Sequence, residues 1–146
     1  MAAASNSGYN IRVYGVWVNE NQVLLSEEER FGMSMTKFPG GGVEWGEGLA
    51  EALLRELKEE TGSGFRILSH LYTTDFFVES AFHPNQQLLS VYYRVEPIEP
   101  FNPFDLSKQH ANPGELVSFR WHQLQDLTPE VLTFPIDRHV ALILRG

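Results

Sequence analysis

From Tyr9 to Val18 the residues Ile11, Val13, Gly15 and Trp17 take one parity, and Arg12, Tyr14, Val16 and Val18 the other. A period of two predicts a strand, and bulk on both parities places it inside a sheet covered on both faces. "NENQ" (19–22) is a polar turn, Val23 to Ser26 a second strand completing a hairpin, and "EEERFGMSMTK" (27–37) an exposed loop. After a short extended piece over Val43 to Trp45, the pattern changes to a helical one. Residues Gly48 to Thr61 are filled with helix formers, Leu49, Leu53, Leu54 and Leu57 share one stripe, and Gly62 is a suitable stop. Two β-type segments follow, Phe65 to Glu79 and Leu88 to Glu96, expected to pair antiparallel. "PIEPFNPFDLSKQHANPGE" (97–115) reads as a long loop of the kind that often carries function. Leu116 to His122 is a further strand, "QLQDL" a turn, and Pro135 to Leu144 a closing helix with Ile136, Val140 and Leu144 on one side. Neither a repeat nor a second core is visible, so the expected organisation is a loose tail over 1–8 and a single domain over 9–146.

Composition narrows the function classes. A chain of 146 residues with 42% apolar content buries a sizeable core unaided, and without cysteine it has neither disulfides nor thiolate metal sites. A reducing cytoplasm is the simplest home. "MAAASNSG" lacks the basic and apolar regions of a signal peptide, and no apolar run is long enough to span a bilayer. Eleven basic against 19 acidic residues give a net charge of −8, which argues against a nucleic-acid polymer as partner. A small anionic substrate still fits if metal ions accompany it.

The densest chemistry lies in "PGGGVEWGEGLAEALLRELKEETG" (39–62). Glu56, Glu59 and Glu60 stand at i, i+3 and i+4, so their carboxylates gather beside the leucine stripe. Glu51 and Arg55 have the spacing of an i, i+4 pair, and Glu47 suits the positive end of the helix dipole. Three carboxylates within one turn destabilise a helix unless something neutralises them, and Mg²⁺ or Mn²⁺ is the natural partner. The glycines let backbone approach a phosphate or a metal, with the Gly40 carbonyl as a further ligand. An exposed acidic helix after a flexible turn is the plain alternative. Neither a Walker loop nor a dinucleotide fingerprint is present.

From Gly41 the order is Gly, five residues, Glu47, seven residues, Arg55-Glu56-Leu57, one residue, Glu59-Glu60, one residue, Gly62. This resembles the Nudix box, the signature of the Nudix hydrolases, at every fixed position. Ser63 departs from the usual aliphatic residue, and Phe65 or Ile67 is expected to fill the gap. The resemblance implies an α/β fold, an α/β/α sandwich with a central mixed sheet between helices. It also implies hydrolysis of a nucleoside diphosphate linked to another moiety, of the nucleotide or sugar-nucleotide class, with Mg²⁺ or Mn²⁺. By position, Glu56, Glu59, Glu60 and the Gly40 carbonyl would hold metal, and Arg55 would pair with Glu47. The general base varies in the family: Glu59, Glu56 and, in the late loop, Glu115 are candidates, with His110 weaker. Homodimers are common in the family, and a homodimer stays open here. The competing class is a non-catalytic module that senses a nucleotide or ADP-ribose, although such regulators usually have eroded boxes.

Substrate selection is expected outside the box, from aromatics that stack and cations that reach phosphates. Arg12, Arg30, Phe31, Lys37 and Asp137 are the candidates, Lys37 foremost because it adjoins the glycines. Tyr14, Trp121 and Phe134 have the same chemistry, with burial the simpler account of Tyr14 and Trp121. His70, His83, His122 and His139 show no ligand spacing.

Overall fold

The computed structural model describes residues 8–100 and 116–146. Ten regular elements follow in chain order: β1 (Gly8–Val16), β2 (Val18–Asn19), β3 (Gln22–Arg30), β4 (Met33–Lys37), β5 (Gly40–Gly42), α1 (Leu49–Thr61), β6 (Phe65–Thr73), β7 (Gln86–Pro97), β8 (Leu116–Gln123) and α2 (Pro135–Arg145). Two single-turn 3₁₀ helices, Leu124–Asp126 and Pro129–Val131, lead into α2.

One sheet runs in the order β5-β1-β7-β6, with β1 parallel to β7 and its other pairs antiparallel. In the second, β3 pairs antiparallel with β2, β4 and β8. The two-sided pattern of β1 has its expected consequence. Val13 and Trp17 enter a core with Leu24, Leu53 and Leu57, while Tyr14 and Val16 enter another with Leu25, Tyr92, Ile136 and Val140. Helices therefore cover both faces, α1 over the first core and α2 over the second, giving an α/β/α sandwich. Each fully buried leucine contributes about 1.5–3 kcal/mol over its exposed state.

The helix stripe is narrower than its spacing suggested. Leu53 and Leu57 are buried with Ala52, whereas Leu54 packs only partly and Leu49 is exposed at the first turn. Gly62 closes α1, its N–H bonding Lys58 O at 2.8 Å. Beyond it, Phe65 is buried edge-on against Trp17, filling the space expected from the Ser63 departure.

Three local expectations are corrected. Residues 27–37 are not an exposed loop: Glu27 to Arg30 extend β3 and pair with β4 through a tight turn at Phe31 and Gly32. Their charge hid a strand in which the buried Glu28 is polar because it lines a cleft rather than the core. The extended piece after the glycines is the glycines themselves, with Arg12, Val13 and Tyr14 opposite Gly42, Gly41 and Gly40. The segment from Phe65 leaves regular pairing at Thr73, and Glu79 returns only as an isolated bridge to Gln87.

Candidate active site

The glycine strand β5 fixes the geometry. Gly40 sits at φ 149°, and a Cβ there would lie 2.1 Å from Val13 O, so no other residue fits without moving β1. A Cβ on Gly41 would fall 2.6 Å from the Glu56 carboxyl, so the bare backbone is what lets that carboxylate lie against β5. From there α1 runs with Arg55 as a hub. Its Nε and Nη2 donate to Glu47 at 2.6 and 2.8 Å, Nη2 also to Gly42 O at 3.0 Å, and Nη1 to Glu56 at 3.0 Å and Glu59 at 3.3 Å. The Arg55 guanidinium holds the Glu47 carboxyl well below the usual range, at about 2. Glu51 does not serve as the i, i+4 partner; it accepts the Gly48 N–H at 3.1 Å and caps the helix start.

Glu60 stands apart from the other glutamates. Its Oε2 is buried without a hydrogen-bond partner, and burial pushes its pKa up to about 8, with Glu28 and Glu56 adding to the rise while Lys37 and the Gly40 backbone oppose it. A buried carboxylate oxygen with no partner is costly, and a cation removes the cost. Among the described residues, no group of three His, Asp or Glu side chains is gathered tightly enough to hold a metal as arranged. Glu56 and Glu59 both turn to Arg55 instead. The Glu59 side chain is 59% exposed, so its rotamer is not fixed by packing. Hard-oxygen donors, an orphaned buried oxygen and an open backbone beside it fit Mg²⁺ or Mn²⁺.

Glu56, Glu59, Glu60 and Gly40 line one cleft of about 970 Å³ together with Arg12, Arg30, Phe31, Lys37 and Asp137. The cations differ in availability. Lys37 is buried, its Nζ 3.3 Å from Glu28 Oε1 and 3.3 Å from Phe38 O, over the Tyr14 ring. Burial works against its charge, but Glu28, Glu60 and Tyr14 outweigh it and raise its pKa. Its charge is thus already balanced inside the protein. Arg12 donates from Nε to Tyr14 OH at 2.6 Å and lies beside Gly42 in the field of Glu56, nearest the glycine end. Arg30 is 3.9 Å from Glu28. Asp137 is buried at the start of α2, accepting the Tyr92 hydroxyl, and burial raises its pKa to about 6.

Trp121 packs on Trp17 in the first core, and Tyr14 is buried yet reaches the cleft. Of the histidines, His83 lines the cleft, His122 meets Asp126 O, and His70 meets Thr73. Glu115 and His110 lie outside the described residues. Sequence reading missed Glu28 and Phe82. Glu28 was findable from strand parity once residues 27–30 are read as β3, whereas Phe82, in the connection before β7, carries no local signal.

A family model described as the NUDIX domain matches residues 8–142. The chain belongs to the NUDIX family. Its fold is shared with the E. coli ORF135 protein (17% identity, 97% of this chain and 94% of that one, TM-score 0.72). A NUDIX hydrolase from Nitrosomonas europaea is similar at 22% identity over 93% of this chain and 87% of that one, TM-score 0.72. The MutT protein from Methanosarcina mazei Go1 matches at 22% over 94% of each chain, TM-score 0.69. Membership makes this NUDIX chain a hydrolase acting on phosphoanhydride bonds. Among the described residues no helix is long and apolar enough to cross a membrane.

Proposed function

We propose that residues 9–146 form a single metal-dependent pyrophosphohydrolase domain acting in the cytoplasm. Its substrate is a nucleoside diphosphate linked to another moiety, cleaved by attack of water on phosphorus. The carrying observation is the unpartnered, buried Oε2 of Glu60, in a cleft that Glu56, the glycines of β5 and Arg12 also line. Glu56, Glu59, Glu60 and the Gly40 carbonyl are the groups that would hold Mg²⁺ or Mn²⁺. The ion supplies neutralisation of the pyrophosphate and activation of water. Arg12 is the cation with reach to the phosphates at that end; Lys37 acts on them through the field it shares with Glu28 and Glu60 rather than as a free clamp. Arg55 touches no substrate: it ties the glycine loop to the helix through Glu47 and Gly42. A carboxylate must accept the proton of the attacking water, and Glu56, Glu59 and Glu115 are the candidates. Retention of all three box glutamates supports hydrolysis over nucleotide sensing.

The test is a screen with Mg²⁺ or Mn²⁺ against nucleoside triphosphates, ADP-ribose, NADH, diadenosine polyphosphates and sugar nucleotides, followed by the same screen on Glu60→Gln. Turnover of at least one compound, lost in Glu60→Gln while the fold persists, is expected. Tight binding without turnover of any would overturn the reading.

A further inference from the structure

In the same cleft as the glutamates, Phe31, Phe82 and Phe134 form a chain of ring contacts. The Phe31 and Phe82 centroids are 5.8 Å apart at 45°, and Phe82 and Phe134 are 6.1 Å apart at 70°. The rings come from three separate connections: the β3–β4 turn, the loop before β7 and the residue preceding α2. Phe31 is 80% exposed and Phe82 36%, and none of the three belongs to either core. Packing within either core therefore does not account for them.

Each is nevertheless held in place. Phe31 takes φ 54° in its turn, a left-handed position where glycine or asparagine is the usual resident and a bulky residue is strained. Phe82 sits in a loop folded on itself: the N–H groups of Phe82 and His83 both donate to Ser80 Oγ at 3.2 and 3.1 Å, and Ser80 N–H bonds Gln86 O at 2.9 Å. Phe134 is fixed by its neighbour, Thr133 N–H donating to Thr36 O at 3.0 Å, and by starting the first turn of α2. A preset aromatic surface binds a planar partner at little entropic cost. The lining of the cleft is mixed, and its polar members include Asn10, Ser80, Ser90 and Asp137. An isoprenoid or acyl chain would cover those groups without hydrogen bonds, whereas a heterocycle offers ring faces to the phenylalanines and polar edges to the lining.

Resting on the hydrolase reading above, we infer that Phe31, Phe82 and Phe134 form a stacking wall for the nucleobase, so that the enzyme selects its substrate by the base and not by the sugar or the distal group. Phe82 is the central member, touching both others, and is the specificity-determining residue to test.

The experiment compares the four common nucleoside 5′-triphosphates with ribose 5-triphosphate, which keeps the sugar and phosphates but lacks the base. Wild type is expected to favour at least one nucleotide over the abasic compound through KM. Phe82→Ala should raise KM for that nucleotide roughly ten- to hundred-fold with kcat little changed, and leave KM for ribose 5-triphosphate unchanged. Phe82→Trp should restore the nucleotide KM, and its added indole emission should be quenched by the matching nucleoside monophosphate without metal. Equal KM for nucleotide and abasic compound in wild type, or equal effects of Phe82→Ala on both, would overturn the inference while leaving the hydrolase reading intact. Should wild type hydrolyse no compound of this set or of the wider screen above, the hydrolase reading fails and the wall is judged by the quenching alone: its absence overturns the wall and its presence upholds it.

Discussion

The acidic part of the cleft comes from one short strand and one helix: β5 supplies bare backbone, and α1 supplies Glu56, Glu59 and Glu60 from adjacent turns. Its aromatic part is assembled from three connections distant in sequence, each pinned by its own hydrogen bonds or turn geometry. The first part is charged, with one buried carboxylate oxygen lacking a partner; the second is apolar and already preset. The contrast separates two tasks. Chemistry at phosphorus needs a fixed spacing of like charges, which a helix provides by itself, whereas selection needs a surface whose parts change independently.

That division predicts which parameter each change moves. Glu60→Gln is expected to lower kcat by roughly 10²–10⁴-fold in steady-state assays, with nucleoside monophosphate binding unaffected. Were monophosphate binding lost as well, the two parts would not be separable. Arg55→Ala comes next, because it unties Glu47 and Gly42 from the helix and removes the guanidinium that orients Glu56 beside β5. Mn²⁺ affinity should fall about 10- to 100-fold, the usual cost of losing a residue that orients ligands, as read by electron paramagnetic resonance titration. Phe82→Ala follows, confined to KM as set out above. The smallest effect is Glu51→Ala, which removes only the acceptor for Gly48 N–H and should cost about 1 kcal/mol of stability, seen as a lowered Tm with kcat/KM unchanged.

Much of the acidic part was legible in the sequence, because helix geometry converts spacing into position without tertiary information. Gly48 to Thr61 as helix and Gly62 as its stop have their counterparts in the structure, as does the Glu47–Arg55 pair that the family resemblance implied, whereas Glu51, paired with Arg55 by helix spacing, caps Gly48 instead. The two-sided β1 was legible from its period of two, and the antiparallel β6–β7 pairing from two segments rich in β-forming residues. Residues 27–37 were not, since charged residues on strand positions that face a cleft carry the signature of a loop. Lys37 shows a related limit: its place before the glycines was readable, but its partner Glu28 lies across β3–β4 and depends on that missed pairing. Phe82 depends on three connections converging, which no local pattern encodes.

Cation binding at Glu60 is the central claim, and its proton provides the most direct measurement. The Glu60 pKa is raised from the usual 4.5 to about 8. A raised carboxylate pKa means that the folded state holds more protons than the unfolded one across that window. The metal-free protein therefore has the stability linked to this group below pH 4.5 and loses it as pH rises through 8. A cation that takes Glu60 must displace the proton. Calorimetric titration of Mn²⁺ at pH 7 in two buffers of different ionisation enthalpy should report release of about one proton per protein in wild type, and none attributable to this site in Glu60→Gln. Mn²⁺ binding with identical buffer dependence in the two proteins would contradict the account.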